Sequence, residues 1–449
     1  MNDRIVIPVW TLGLFVVVMN TTMFNVSVPG IIRDLGVTAD QGSWIVSSYS
    51  IGYALSTIVY SRLSDVYPIR RLLATGLIVL GLSSVYGLFA HTFYSLLLAR
   101  ILQSAGSGAM AGLGLVLASR YIPFERRGRA IAMISAGSAM AFGLGPIVGG
   151  TISEFFGWNG LFAVTCLVLG ILPVLLRLLP KEQKRSARFD VLGAALTIVN
   201  AASLLLAVTQ RSVLWLAICA VSLLLQGLYL YRAGRSRGTF ISVELLRKPA
   251  YRKLLAVGFS ILVLNMSNLF LMPLVLADIG DLSELQIGLT IAPGAIFSAL
   301  MTRYVGRWID QYGNMRFLLA GHVLLAAVLA CFAWSPGLPT VAILLGYLVF
   351  SPAFTMTIAS LNNETSSILD KAQIAAGMGF LQLLQFFGGS ISVAVAGHVI
   401  ELTRGAVPLH PYQTVYRLLF AVCLLSLGLL WWYKRARARP AANIDSPAV

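Results

Sequence analysis

Apolar runs long enough to cross a bilayer recur along the whole chain, and this repetition leaves few folds open. A helical span needs about 20 apolar residues. Fourteen runs of that kind can be marked, six at 8–32, 43–61, 72–90, 94–118, 130–154 and 160–179. A pair follows at 191–209 and 213–231, and six more lie at 253–276, 286–303, 316–334, 340–361, 374–399 and 413–433. The runs are continuously apolar where a membrane strand would alternate, so they read as helices. The expected fold is an all-α polytopic membrane protein with 14 transmembrane helices. Charged residues make up only 11% of the 449, against about 25% in a soluble domain, so lipid must be the main solvent. The first run has no short apolar core followed by a small-residue cleavage site, and reads as a retained helix.

The formal charge of +16 could suggest nucleic acid, but its placement points elsewhere. With the N-terminus in the cytoplasm, 28 of the 33 Lys and Arg residues fall on the cytoplasmic side. Only Arg33, Arg211 and Arg404 fall outside, while Arg100 and Arg417 lie within spans. A wrong helix count would scramble this asymmetry, which is the positive-inside pattern. The sequence therefore implies a cytoplasmic (inner or cell) membrane protein with both termini cytoplasmic, attracted to anionic lipid and not to nucleic acid. The four cysteines sit unpaired in apolar runs and read as small buried hydrophobes. The scattered histidines give no metal cluster.

One charged connection is written twice. SRLSDVYPIRR (61–71) links spans 2 and 3, and GRWIDQYGNMR (306–316) links spans 10 and 11. Asp65 and Asp310 each stand four residues after a small residue, and Arg71 and Arg316 each follow six residues later. Without spans 7 and 8, these are corresponding loops of two six-helix halves. The expected organisation is an N-terminal bundle (1–180), two inserted helices with cytoplasmic linkers (181–252), a C-terminal bundle (253–434) and a cytoplasmic tail (435–449), the bundles being related by a pseudo-twofold axis. Such duplication, with a site at the midplane between the halves, is the usual build of a secondary transporter.

Three further stretches, ARILQSAGSGAM (99–110), GLGPIVGG (143–150) and NTTMFNVSVP (20–29), carry a family likeness together with the loop 61–71. In these the chain resembles the major facilitator superfamily, and within it the fourteen-helix drug:proton antiporters such as the tetracycline efflux proteins. The resemblance covers nearly the whole chain. The loop is similar to the family pattern G-x-L-x-D-x-x-G-x-[RK]-[RK] at Leu63, Asp65, Arg70 and Arg71, with Ser61 and Pro68 replacing the glycines. Arg100 and Gln103 match the helix 4 motif, where Ser104 replaces a usual Gly. Gly145, Pro146, Gly149 and Gly150 match the helix 5 pattern that marks antiporters. Relatives often carry an acid four residues before the Asn of the first-helix motif, where this chain has Thr21. The resemblance implies efflux of lipophilic drugs, tetracycline-like or multidrug, in exchange for protons by alternating access, and hence a part in antibiotic resistance.

Physical readings of these residues stand beside the resemblance. Asp65, Arg70, Arg71, Asp310 and Arg316 suit a charge cluster that locks and releases the halves, or serve as plain turn and anchor charges. Pro146 removes a backbone bond while Gly145, Gly149 and Gly150 allow close helix approach, a contact able to resist proton leak. Arg100, about 10 Å inside the outer end of its span at 1.5 Å per residue, is either functional or snorkels to the interface. Glu154, ending span 5, is the candidate proton carrier, with an interfacial acid in water as the alternative. Asp34, Asp278, Asp281 and Glu284 read as outer-loop charges. Asn20, Asn25, Asn265, Asn268, Gln382 and Gln385 are the expected lining of a substrate cavity, with interhelical hydrogen bonding as the alternative.

No nucleotide-binding loop is present, so a proton gradient is the expected energy source and no cofactor is implied. Clustered intramembrane catalytic groups are missing, which argues against an enzyme. The expected partners are a small lipophilic substrate, protons and membrane lipid, with the monomer as the working unit. Export of a native metabolite or a metal-drug chelate, and monovalent cation/proton exchange, are the alternatives within transport.

Overall fold

In the computed structural model, residues 3–180, 182, 189–210, 212–233, 243–335, 337, 339–370, 373–403, 405 and 409–438 are described. Among them fifteen α-helices follow one another: α1 (Asp3–Leu35), α2 (Ala39–Leu63), α3 (Ile69–Leu88), α4 (Phe93–Tyr121), α5 (Phe124–Phe156), α6 (Gly160–Leu178), α7 (Val191–Gln210), α8 (Val213–Ala233), α9 (Val243–Arg247), α10 (Pro249–Asp278), α11 (Glu284–Tyr312), α12 (Asn314–Trp334), α13 (Thr340–Ser367), α14 (Ile374–Leu402) and α15 (His410–Ala438). Helices are the form lipid demands of an open chain, because each satisfies its own backbone polar groups. α9 is a short connector, and the other fourteen match the expected spans in order. Thirteen of the fourteen are long and apolar enough to cross a membrane. The exception is α2, whose buried Ser43, Ser47, Ser48 and Ser50 lower its hydropathy. Its polar side chains face α1, α4 and α14 rather than lipid.

Packing reproduces the duplication. In the first half α1 lies on α5 and α6, α2 on α4, and α3 on α4 and α6. In the second, α10 lies on α14 and α15, α11 on α13, and α12 on α13 and α15. Exchanging the halves maps each pair onto its counterpart, the signature of a pseudo-twofold axis. Two seams join them, α5 with α11 and α2 with α14, again exchanged by the axis. α1 starts and α15 ends on the same face, called here the terminal face; the opposite one is the far face.

α7 and α8 form a hairpin outside both bundles. α7 rests on α2 and α14, burying Ala201 and Leu205 against Ile51, Ala54, Leu55 and Leu383. α8 packs mainly on α7, and its outward face of Leu214, Leu224 and Tyr231 is exposed. Lipid offers apolar helices little reason to associate, so polar bonds matter here. Asn200 donates to the Gln226 side chain and accepts from the Ser222 hydroxyl. The Gln226 amide donates to Thr197 Oγ1 at 3.0 Å. Replacing Asn200 by Leu leaves half of Gln226 unpaired and Ser222 with only the Cys219 carbonyl, and should loosen α8 at a cost of about 1 kcal/mol. A lower thermal midpoint with substrate binding intact is the expected outcome, read by heating the purified protein in detergent.

Candidate functional site

Arg100 organises the first half. It lies in α4 and is 1% exposed, with its charge held away from both interfaces. The guanidinium stacks between the rings of Phe24 (4.0 Å to the centroid) and Tyr49 (3.9 Å). Nη1 donates to the Asn20 amide oxygen and, at 3.0 Å, to Gln103 Oε1. Nε reaches the Ile45 carbonyl at 3.4 Å. Asn20 then donates to Thr165 Oγ1 at 2.7 Å, and Gln103 to Ser84 Oγ at 2.7 Å. One side chain thus ties α1, α2, α3, α4 and α6 together. Among the described residues no carboxylate pairs with it. Neutral amides and two aromatic faces carry the charge, an arrangement suited to the flat, weakly hydrated guanidinium. Snorkelling is therefore not what Arg100 does. Thr21, where relatives often carry an acid, lies beside the Tyr49 hydroxyl, and the polar residue that meets the cation is its neighbour Asn20.

Replacing Arg100 by Ala leaves buried acceptors on Asn20 and Gln103 without donors, costing about 1–3 kcal/mol for each group. A lysine keeps the charge but loses the fork and the stack. Both variants should therefore lower the thermal midpoint in detergent, and lysine should rescue less than half of the alanine loss.

The α5 glycine run does two jobs at once. Gly145 and Gly149, four residues apart, face α1: a methyl on Gly145 would overlap the Thr22 hydroxyl, and one on Gly149 the Met23 backbone. Pro146 and Gly150, also four apart, face α11. A methyl on Gly150 would overlap the Glu284 carbonyl, and Gly288 of α11 lies against the Pro146 carbonyl. The approach slackens to 3.6 Å at Gly143 against Ala295. Nothing lies within 4 Å of where a methyl would sit on Gly306, further along α11. The second seam behaves alike: Gly397 of α14 presses on Ala39 and Ser43 of α2, whereas Gly379 has open space. Tyr53 and Phe386 meet edge to face across it, with centroids 5.5 Å apart. Both seams are tight toward the far face. A valine at Gly150 cannot fit this contact, so Gly150→Val should hold the seam apart. A pair of probes at the far ends of α5 and α11 should read a longer distance than in the native chain.

Polar contacts reinforce the far face. Arg33 Nη2 lies 3.9 Å from Glu284 Oε1, His398 Nδ1 lies 4.0 Å from Asp40 Oδ1, and the Leu285 N–H points at Glu154 Oε2 at 3.5 Å. Glu154 itself is exposed. Glu284, expected as an outer-loop charge, instead sits 8% exposed in the seam. The sequence signal for its place was a repeated capping box: Ser283 with Gln286 opens α11 as Thr38 with Gln41 opens α2.

At the terminal face the ion pairs close within one half. Asp65 accepts from Arg120 Nη2 at 2.8 Å, and Arg120 Nη1 donates to the Ser64 carbonyl at 2.7 Å. Glu182 accepts from the Ile69 N–H at 2.6 Å and from the Tyr121 hydroxyl. Arg70 is half-buried and Arg71 exposed at the start of α3; Arg316 is exposed at the start of α12. The Asp310 side chain lies outside the described residues. In the second half the buried acid at this level is Glu364 of α13, which accepts from Asn314 at 2.9 Å and from the Tyr433 hydroxyl at 2.6 Å.

The six amides divide. Asn20 serves Arg100, and Asn268 accepts from the Tyr416 hydroxyl at 3.3 Å while donating to Met272 Sδ at 3.4 Å. These two are committed inside their own bundles. Asn25, 2% exposed, has neither amide atom hydrogen-bonded, and Gln385 has an unpartnered buried amide nitrogen. Asn265 is buried and Gln382 half-buried.

A duplicated twelve-helix body with an inserted hairpin and two seams tight at one end has the build of a membrane transporter. The family profile of the Major Facilitator Superfamily matches residues 10–393, and the chain belongs to that family. It is 25% identical over 417 residues to a protein of Bacillus subtilis described as the uncharacterized MFS-type transporter YcnB, covering 89% of this chain and 87% of that one. It is equally identical to the putative multidrug resistance protein MdtD of Salmonella paratyphi A, with the same coverage of both chains. The multidrug resistance protein Stp of Mycobacterium tuberculosis is 25% identical over 87% of this chain and 74% of its own. Among solved structures, a bacterial homolog of the human lysosomal transporter Spinster superposes with a TM-score of 0.71 at 14% identity, covering 96% of this chain and 97% of that one. The human organic anion transporter MFSD10 gives 0.66 at 18% identity, with 96% and 100% covered.

Proposed function

We propose that the protein is a proton-coupled efflux antiporter that exports lipophilic drugs by alternating access, with its terminal face in the cytoplasm. The orientation rests on the basic residues, which crowd the terminal face and thin out at the far face, as the positive-inside pattern requires. Drug export draws on the multidrug resistance names of two relatives. The observation that carries the mechanism is the wedge shape of the α5–α11 seam, too close for any side chain at Gly150 and Gly288 and open at Gly306. A carrier closed outside and parted inside is poised to load cargo from the cytoplasm or the inner leaflet. Asn25 and Gln385 supply unpaired amides for a polar edge of that cargo.

Asp65 serves as a latch on the inner side. Its partner Arg120 belongs to the same half in this state, and a pair this exposed is worth about 0–1 kcal/mol, which suits a contact that must form and break. Arg70, Arg71, Asp310 and Arg316 are the further candidates for this latch, from the two repeated loops. Glu154, open to the outer water, is a candidate carrier of the exchanged proton.

Proteoliposomes with an imposed pH gradient should show proton flux triggered by substrate, tested with tetracycline, cationic dyes and quinolones. Asp65→Asn should abolish exchange while substrate binding stays measurable. Native exchange rates in that variant would remove the latch, and absence of substrate-triggered flux across the whole panel would remove proton-coupled drug efflux.

A further inference from the structure

Glu284 opens α11, yet its side chain does not stand in water. The carboxyl lies over Gly30 of α1, so closely that any methyl there would overlap Oε1, while its own backbone carbonyl covers Gly150 of α5. Three helices from both halves meet on this one residue. The charged groups facing it are Arg33 and Asp34 from α1 and Glu154 from α5. Two acids thus oppose one base, and that base is largely in water, its side chain 68% exposed and 3.9 Å from the carboxyl. The Ser153 hydroxyl, buried at the end of α5, also faces the carboxyl and is placed to donate to it. Closing the gate therefore moves a carboxyl from water into a confined seat whose surroundings are already negative.

We propose that Glu284 is a proton-binding latch of the outer gate, seated with its proton on when the α1–α5–α11 seam closes and ionised when the seam opens to water. The sign follows from burial. An ionised carboxylate loses its hydration in the seat and recovers only the Ser153 hydroxyl and a long contact with an exposed arginine, which burial outweighs, whereas the neutral acid loses far less. The closed gate therefore takes up a proton that the open gate gives back to the outer solution. Acid outside stabilises the state open to the cytoplasm, where cargo loads, and that stabilisation is lost as the outer pH rises. The α2–α14 seam has Asp40 in the matching first turn, facing His398 instead of an arginine, which provides an internal control. The assignment of sides rests on the orientation proposed above, but the linkage between proton and seam does not.

Spin labels at Phe156 of α5 and Asp281, just before α11, would report the seam width in the full chain in detergent, from acidic to alkaline buffer. The closed population of the native protein should rise several-fold toward acid. Glu284→Gln mimics the neutral acid and should stay closed across the range. Asp40→Asn, on the other seam, should keep the native response at these labels. Arg33→Gln removes the one cation that faces the carboxyl among the described residues, and should shift the closing midpoint to more alkaline pH. A native response in Glu284→Gln, or an unmoved midpoint in Arg33→Gln, would overturn the proposal. This readout needs neither substrate nor a gradient. Failure of substrate-triggered flux with this response intact would defeat proton-coupled drug efflux alone, and the converse result would defeat the latch alone.

Discussion

In a bilayer, close backbone approach does the work that hydrophobic burial does in water. Lipid tails solvate leucine as well as another helix does, so helices hold together where small residues admit tight contact or where polar groups find one another. This constraint explains why α5 carries two glycine stripes a quarter-turn apart. One stripe, Gly145 and Gly149, fixes α5 to α1 within its own half. The other, Pro146 and Gly150, meets α11 of the opposite half. The same helix is thus a permanent part of one body and the sliding surface between two.

A moving surface needs rigid bodies on either side of it. Arg100 supplies rigidity to the first half by an expensive device, a buried cation without a carboxylate partner among the described residues, satisfied by Asn20, Gln103 and two rings. Loss of any one of these leaves a charge poorly solvated, so five helices are held in a single arrangement. The second half reaches the same end with neutral groups, including His322 between the Leu318 carbonyl at 2.8 Å and Ser426 at 2.9 Å, and Tyr416 on Asn268. The duplication is one of geometry, and the chemistry has diverged beneath it. The terminal face repeats the point: Asp65 meets an arginine from α4, whereas in the corresponding place α13 contributes the acid Glu364 and α12 the amide Asn314.

This divergence marks what the sequence could and could not reveal. The spans, the inserted pair and the duplicated loop were legible because each is a local pattern of about 20 residues or fewer. So was the glycine run, since spacing by four names a shared helix face. Partnerships were not legible. Arg120 stands 55 residues from Asp65 and Asn20 stands 80 from Arg100, and helical periodicity says which residues share a face without saying what that face meets. Asn265 and Asn268 share a stripe by spacing, yet Asn268 is spent on Tyr416 within its own bundle. Glu284 misled for a related reason. An acid in a loop-like run between spans reads as solvated, and only the packing of α1, α5 and α11 buries it.

The placement of polar groups then separates what stays fixed from what moves. Contacts that are deep and fully paired, around Arg100 and in the α7–α8 hairpin, lie inside one body, where breaking them is never required. Contacts that cross between the halves are different in kind. They combine backbone against glycine, which has no rotamer to reset, with long or exposed polar approaches such as Arg33 to Glu284 and Asp40 to His398. Separating such surfaces breaks no short ion pair, and it returns the seated Glu284 carboxyl to water. A transporter must reverse its seams at every turnover, and strong pairing across them would trap it in one state. The α7–α8 hairpin adds a departure from symmetry in the packing: it lies over the α2–α14 seam and, among the described residues, not over the α5–α11 seam. The two seams therefore have unequal surroundings, and the one the hairpin does not cover is the one that carries the α5 glycines.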